Sequence, residues 1–363
     1  MGGSERRESS AYSRLLHDSA ASIAETLTLF AEPAPAGVTK VEWKEAITAA
    51  EGVVRHATTA GVLWKGKVSK KEGMENIRSY VQALHGFLLL SHGSTAGAGP
   101  TLLSCIGRLS RQVVNSSLSL LRGAVAGFSN SVQDTDLAVL VGCVWEACEA
   151  VKKAPVSNRV AIGRSLTQVA ISVKDVIREV GEFECGTLDC NSETVKEDTT
   201  ELCSSDQEGV SEAEGEAEAS DESTELSNRL SAEEMQVVES VKAFGSSLFS
   251  LIKQLLHIVA GTGNASKEVQ MADAKATPIL EKILELSKAL GVAVDELGAS
   301  LYPPQEIDIL QGTVTEIEGL IEHLQTEVNS LIGLMPEDFL VALNACKDAA
   351  GSLNKILEAA RTP

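Results

Sequence analysis

Apolar side chains recur at helical spacing along almost the whole chain, and the clearest instance lies near its end. From Ile307 two rows repeat every seven residues. One is Ile307, Val314, Ile321 and Val328; the other is Leu310, Ile317, Leu324 and Leu331. This a/d pattern, with β-branched residues at a and mostly Leu at d, predicts a helix over 304–332. Pro303 and Pro304 suit its first turn, where a missing N–H costs nothing. The seam either binds a partner helix or packs against neighbours in its own bundle. A dimer seam needs opposite charges at e and g, but those positions hold Gln311, Thr313, Glu318, Leu320, Gln325, Glu327 and Ile332. Leu320 and Ile332 also widen the apolar stripe, which favours packing inside one chain and a monomer.

Similar periodicity predicts helices over 10–31, 39–64, 69–91, 100–128, 135–153, 156–183, 231–260, 267–290, 292–301 and 336–360. Thr39 with Glu42, Ser69 with Glu72 and Ser231 with Glu234 have capping-box spacing. Pro100 fits a first helical turn, and Pro33, Pro35 and Pro155 end helices. No segment alternates at strand period, so the fold class is all-α. The pattern divides the chain into a mobile N-terminus (1–9), a helical bundle (10–185), a linker (186–228) and a second bundle (229–363).

Composition sharpens this division. Of the 363 residues, 44% are hydrophobic and only 4% aromatic, so the cores are packed by aliphatic side chains. The net charge is −20. Residues 182–228 hold sixteen acidic side chains and one Lys, which is −15, and the difference leaves −5 for everything else. With few apolar residues and runs of like charge, this tract is expected to be disordered and to repel nucleic acid. Ser204, Ser205, Ser211 and Ser220 precede acidic residues and are candidate sites for an acid-directed kinase.

Candidate chemistry is sparse. The six His are scattered, and Cys143 and Cys148, five apart, lie at different angles on one helix, as packed thiols rather than metal ligands. There is no nucleophile elbow, phosphate loop or dinucleotide fingerprint, so no catalysis, cofactor or metal is expected. Seven Cys without a secretion signal point to reduced thiols in cytosol or nucleus. Arg6 stands where a myristoylation signal has Ser or Thr. The uncharged run 79–107 is interrupted by His85, His92, Gly and Pro100 and predicts no membrane span. Arg14-Leu-Leu16 and Arg164-Ser-Leu166 fit a short cyclin-docking pattern. The Trp145 neighbourhood reads as core packing.

Two blocks carry a resemblance. Asp295-Glu-Leu-Gly-Ala-Ser-Leu-Tyr-Pro-Pro304 is one; Val144-Trp145-Glu-Ala-Cys148, followed by Pro155, Asn158 and Val173-Lys-Asp175, is the other. In order and spacing, with an acidic stretch between them, they resemble the D-type-cyclin-binding protein family. That family is also described as Grap- and cyclin-D-interacting, or maternal Id-like helix-loop-helix, proteins. The resemblance implies bundles of long antiparallel helices similar to vinculin and talin. It also implies a non-enzymatic regulator, in cytoplasm and nucleus, that binds D-type cyclins and helix-loop-helix transcription factors. A zipper-like element of the family maps onto residues 307–331. The rival reading of such a fold is a cytoskeletal or membrane-associated scaffold.

Overall fold

The computed structural model describes residues 2–35, 39–66, 68–129, 136–183, 230–260 and 267–361. Among them are ten α-helices, one 3-10 turn (Thr28–Ala31) and no strand. The helices are α1 (Gly2–Leu27), α2 (Trp43–Leu63), α3 (Lys70–Gly93), α4 (Pro100–Ser129) and α5 (Leu137–Lys152). After them come α6 (Asn158–Val180), α7 (Ala232–Ala260), α8 (Lys267–Ala299), α9 (Ile307–Ile332) and α10 (Glu337–Arg361). The acidic linker and its four candidate phosphorylation serines lie outside the described residues.

The chain divides into two compact units. Unit 1 comprises 1–167, 256–285 and 327–333; unit 2 comprises 168–255, 286–326 and 334–363. In unit 1 the first five helices close a ring in the order α1, α3, α2, α5, α4. Tyr80, Leu84, Val113, Leu120, Leu121 and Val144 are fully buried in its core. Two polar bridges cross that core: Tyr80 Oη donates to Ser117 Oγ at 3.1 Å, and Trp64 Nε1 donates to Asn76 Oδ1 at 3.0 Å. Satisfying these groups removes the desolvation cost of burying them.

Neighbours in the ring are not all antiparallel. The α2/α5 pair is, because Gly61 faces Val141, Thr58 faces Trp145 and Glu51 faces Lys152. The α1/α3 pair is parallel, because Tyr12 lies over Gly73, Thr26 bonds His85 and Phe30 meets His92. The two helices are adjacent in space with α2 between them in the chain, so each is separated from the other by two reversals.

Local signals survive unevenly. The Ser69/Glu72 box is fully formed, and its hydrogen bonds from Ser69 hold the Glu72 carboxyl below the ordinary carboxylate range. Ser231 N donates to Glu234 Oε2 at 2.8 Å and Ser231 Oγ accepts from Glu234 N, which depresses the Glu234 carboxyl likewise. A depressed folded value means that these caps stabilise above the ordinary carboxylate range and lose effect as pH falls through it. Thr39 is not a cap: α2 starts at Trp43, after an extended segment in which Val41 N donates to Gly93 O. α1 begins at Gly2, not Ser10. Pro303 and Pro304 occupy the turn before α9 and not its first turn. The expected break at Gly291 is absent, and α8 runs unbroken to Ala299.

The heptad helix lies in its own fold. Leu310, Val314, Ile317, Ile321, Leu324 and Val328 are at most 1% exposed, while Ile307 and Leu331 are half-buried. In unit 2, α10 runs antiparallel to α9 and engages its e positions. Lys347 Nζ donates to Gln325 Oε1 at 2.9 Å and Asn354 Nδ2 to Glu318 Oε2 at 3.4 Å, and Arg361 pairs with Asp308 at 3.1 Å. Two of the e residues, Glu318 and Gln325, are thus engaged by α10. Leu324→Asp should therefore cost about 3 to 5 kcal/mol of stability, because it places a carboxylate among aliphatic neighbours. Thermal melts at several protein concentrations check this: the loss should be the same at each, and a folded monomeric mutant beside a dimeric wild type would refute it.

Candidate functional site: an acidic groove between two close helices

In unit 2, α6 and α8 run parallel, and glycine sets how near they come. A Cβ at Gly298 would lie 2.7 Å from Val176 Cγ1, and one at Gly291 would lie 3.2 Å from Val169 Cγ1. Both glycines and both valines are seven residues apart, two helical turns, so the contact repeats along one face. This is why Gly291 stays inside a helix: its missing side chain makes room for a neighbour, and the packing outweighs a propensity cost of about 1 kcal/mol.

Where the two helices end, a groove of about 310 Å³ opens to solvent. Val176, Val180, Gly298 and Ala299 form its floor. Phe183 and Tyr302 form one wall, edge to face, with ring centroids 5.0 Å apart. Tyr302 is nonetheless 60% exposed. Asp175, Glu179 and Asp295 stand at the rim, and no Lys, Arg or His lines the groove. Ser172 Oγ donates to Asp295 Oδ1 at 3.1 Å, which fixes that carboxylate. Arg178 approaches Asp175 from outside at 3.6 Å as an exposed pair, an arrangement that water screens heavily. Gln305 Nε2 donates to Leu301 O at 3.1 Å and Glu234 O at 3.3 Å, tying the turn beside Tyr302 to the start of α7.

The block Asp295–Pro304 thus has a residue-by-residue meaning. Asp295 is at the rim, Leu297 and Leu301 are buried, Gly298 permits the close approach and Tyr302 lines the wall. The second block divides. Val173 is buried and Asp175 is on the rim of the groove. Asn158 serves unit 1 structurally: Oδ1 accepts from Gly99 N at 2.8 Å, and Nδ2 donates to Gly97 O and to Thr277 Oγ1. Beside it Glu281 accepts from Thr101 N and Thr101 Oγ1, a carboxylate at the start of α4.

Trp145 departs from its expected place in the core. It is 49% exposed, and its indole donates to Thr58 Oγ1 at 3.3 Å, while Val144 and Cys148 on either side are buried. The buried stripe of α5 runs through Val141, Val144, Ala147, Cys148 and Val151 and is centred on Val144; Trp145, about 100° round the helix from Val144, falls beyond its edge. The two short cyclin-docking patterns sit in α1 and α6 with Leu16 and Leu166 buried, so neither is presented as a peptide.

Among the described residues no three His, Cys, Asp or Glu side chains come together as a metal site. Ser22 Oγ and Thr26 Oγ1 face His85 at 3.5 and 3.1 Å, a contact the sequence did not signal, and it joins α1 to α3. Burial pushes the Cys148 thiol up to about 12 and the Cys346 thiol up to about 11, the opposite of what a nucleophile needs. Cys143 is exposed. Among the described residues one helix, α7, is long and apolar enough to cross a membrane by length and composition alone; 44% of its most apolar window is buried inside the protein.

The family described as Grap2 and cyclin-D-interacting matches this chain twice, its N-terminal part at residues 45–186 and its C-terminal part at 205–326. The chain is also similar to "Cyclin-D1-binding protein 1 homolog" of Xenopus laevis, with 23% identity over 206 residues. That match covers 57% of this chain and 54% of the relative, so it spans about half the relative's length.

Two measurements check the site's construction. Gly298→Ala should cost about 1 to 3 kcal/mol through overpacking against Val176, and Val176→Ala in the same chain should recover much of that loss. Denaturant unfolding of the single and double variants reads the coupling. Peptide mapping after brief thiol alkylation should find Cys143 modified before Cys148 and Cys346, which react only on unfolding.

Proposed function

Because this chain belongs to the Grap2 and cyclin-D-interacting protein family, we propose that it is a non-enzymatic regulator that sequesters cell-cycle or transcription regulators. Its partners in this reading are a D-type cyclin and helix-loop-helix transcription factors. The observation that carries the proposal is convergence: Asp295, Gly298, Ala299 and Tyr302 of one block and Asp175 of the other, more than a hundred residues away in the chain, line one solvent-open groove. The groove has an apolar floor and an aromatic wall, which supply contact area, and three carboxylates, which favour a segment bearing Lys or Arg. Tyr302 adds a face on which a cation can rest.

In this reading the protein acts as a monomer in cytoplasm and nucleus. The −15 tract competes for the basic region of the partner, and phosphorylation at Ser204, Ser205, Ser211 and Ser220 strengthens that competition. The test is binding of the purified full chain to a purified D-type cyclin, followed by calorimetry or sedimentation. A one-to-one complex is expected, weakened about tenfold or more by Glu179→Gln with Tyr302→Ala. These exposed substitutions should leave the melting temperature unchanged. Absence of a complex at tens of micromolar, together with cosedimentation on actin filaments or flotation with vesicles, would replace this reading with a scaffold.

A further inference from the structure

Unit 1 holds a second groove of about 720 Å³, and its chemistry is the reverse of the first. Trp43, Ile47, Leu102 and Ile106 make it apolar. Leu102 and Ile106 are buried at its base, and Trp43 is fixed by its indole donating to Val151 O at 3.2 Å. Val156 stands on the lip, 63% exposed. An apolar trough with an open valine at its edge lies ready for apolar side chains.

The charge around it decides what kind. Lys40 and Lys44 line the groove with a single carboxylate, Glu42, so cations prevail locally in a chain of net charge −20. Both lysines are exposed, and no ion pair engages either among the described residues. Two helix starts add to them. α2 begins here with Glu42 at its N-cap, and no side-chain hydrogen bond closes that cap. α6 begins here at Asn158, its first turn capped by Ser157 Oγ, which accepts from Val160 N at 3.3 Å. Each helix start presents partial positive charge. The Asn158 amide is not available to a ligand, since Gly99, Gly97 and Thr277 take it. Lys152, nearby on α5, is also spent, on Glu51 and Glu149.

We infer that this groove docks an acidic amphipathic segment of a partner protein, with its apolar row on Trp43, Ile47 and Ile106 and its carboxylates toward Lys40, Lys44 and the start of α2. Charge complementarity selects this occupant over a basic one, as it selects the opposite occupant for the groove of unit 2. The inference does not depend on the identity of the regulators bound there.

The probe is a fluorescein-labelled amphipathic peptide of about sixteen residues, with Leu at i, i+3, i+4 and i+7 and Glu elsewhere. It should bind the full chain, and the affinity should fall as salt rises. Lys40→Glu combined with Lys44→Glu should weaken it about tenfold or more. Val156→Asp should weaken it independently through the lip. All three positions are exposed, so melting temperatures should not move. Equal affinity for wild type and both variants would overturn the inference, as would competition by a Leu/Lys counterpart as effective as the Leu/Glu peptide. Zero-length carbodiimide coupling should join Lys40 or Lys44 to peptide glutamates. Coupling of those lysines instead to Glu residues within 182–228 of the same chain, undiminished by excess peptide, would replace the partner with an internal occupant.

Discussion

The approach of α6 to α8 governs the candidate site. Two aliphatic helices normally keep their axes 8–10 Å apart, set by the side chains between them. Removing a side chain at Gly291 and again at Gly298 lets Val169 and Val176 enter the space those side chains would fill. Everything at the end of the pair follows from that contact. Ser172 can reach Asp295, Phe183 can meet Tyr302, and the floor between them is narrow enough to form a groove. Dispersion at short range is weak per atom pair but summed over two turns, and a bulkier residue at either glycine would exchange it for repulsion.

A protein with one acidic and one cationic groove has a physical basis for keeping partners apart. Specificity is a difference between affinities, and like charge against like at a groove rim excludes the wrong segment as firmly as opposite charge attracts the right one. In unit 2 the carboxylates of Asp175, Glu179 and Asp295 repel an acidic segment; in unit 1 Lys40, Lys44 and two helix starts repel a basic one. Neither groove contains a convergent acid, base and nucleophile, and both buried thiols described above are held protonated. The arrangement suits recognition by shape and charge.

The amino-acid pattern by itself determined the helical class and most helix positions, because periodicity at 3.6 residues is a local property that any helix burying one face must show. Caps were equally legible where only neighbouring residues matter, as at Ser69 and Ser231. Tertiary contact decided the remainder. Thr39 lost its cap because Val41 and Trp43 are committed to Gly93 and Val151. Gly291 did not break α8 because Val169 packs against it, and Trp145 turned outward because its neighbours filled the buried face. The residues of the unit 2 groove were partly visible, since Asp175, Asp295 and Tyr302 all lie in the two blocks that carried the resemblance. Phe183, Glu179 and Ser172 were not. Their role arises from pairing across some 120 positions of chain, and no local pattern encodes which distant helix a residue will face.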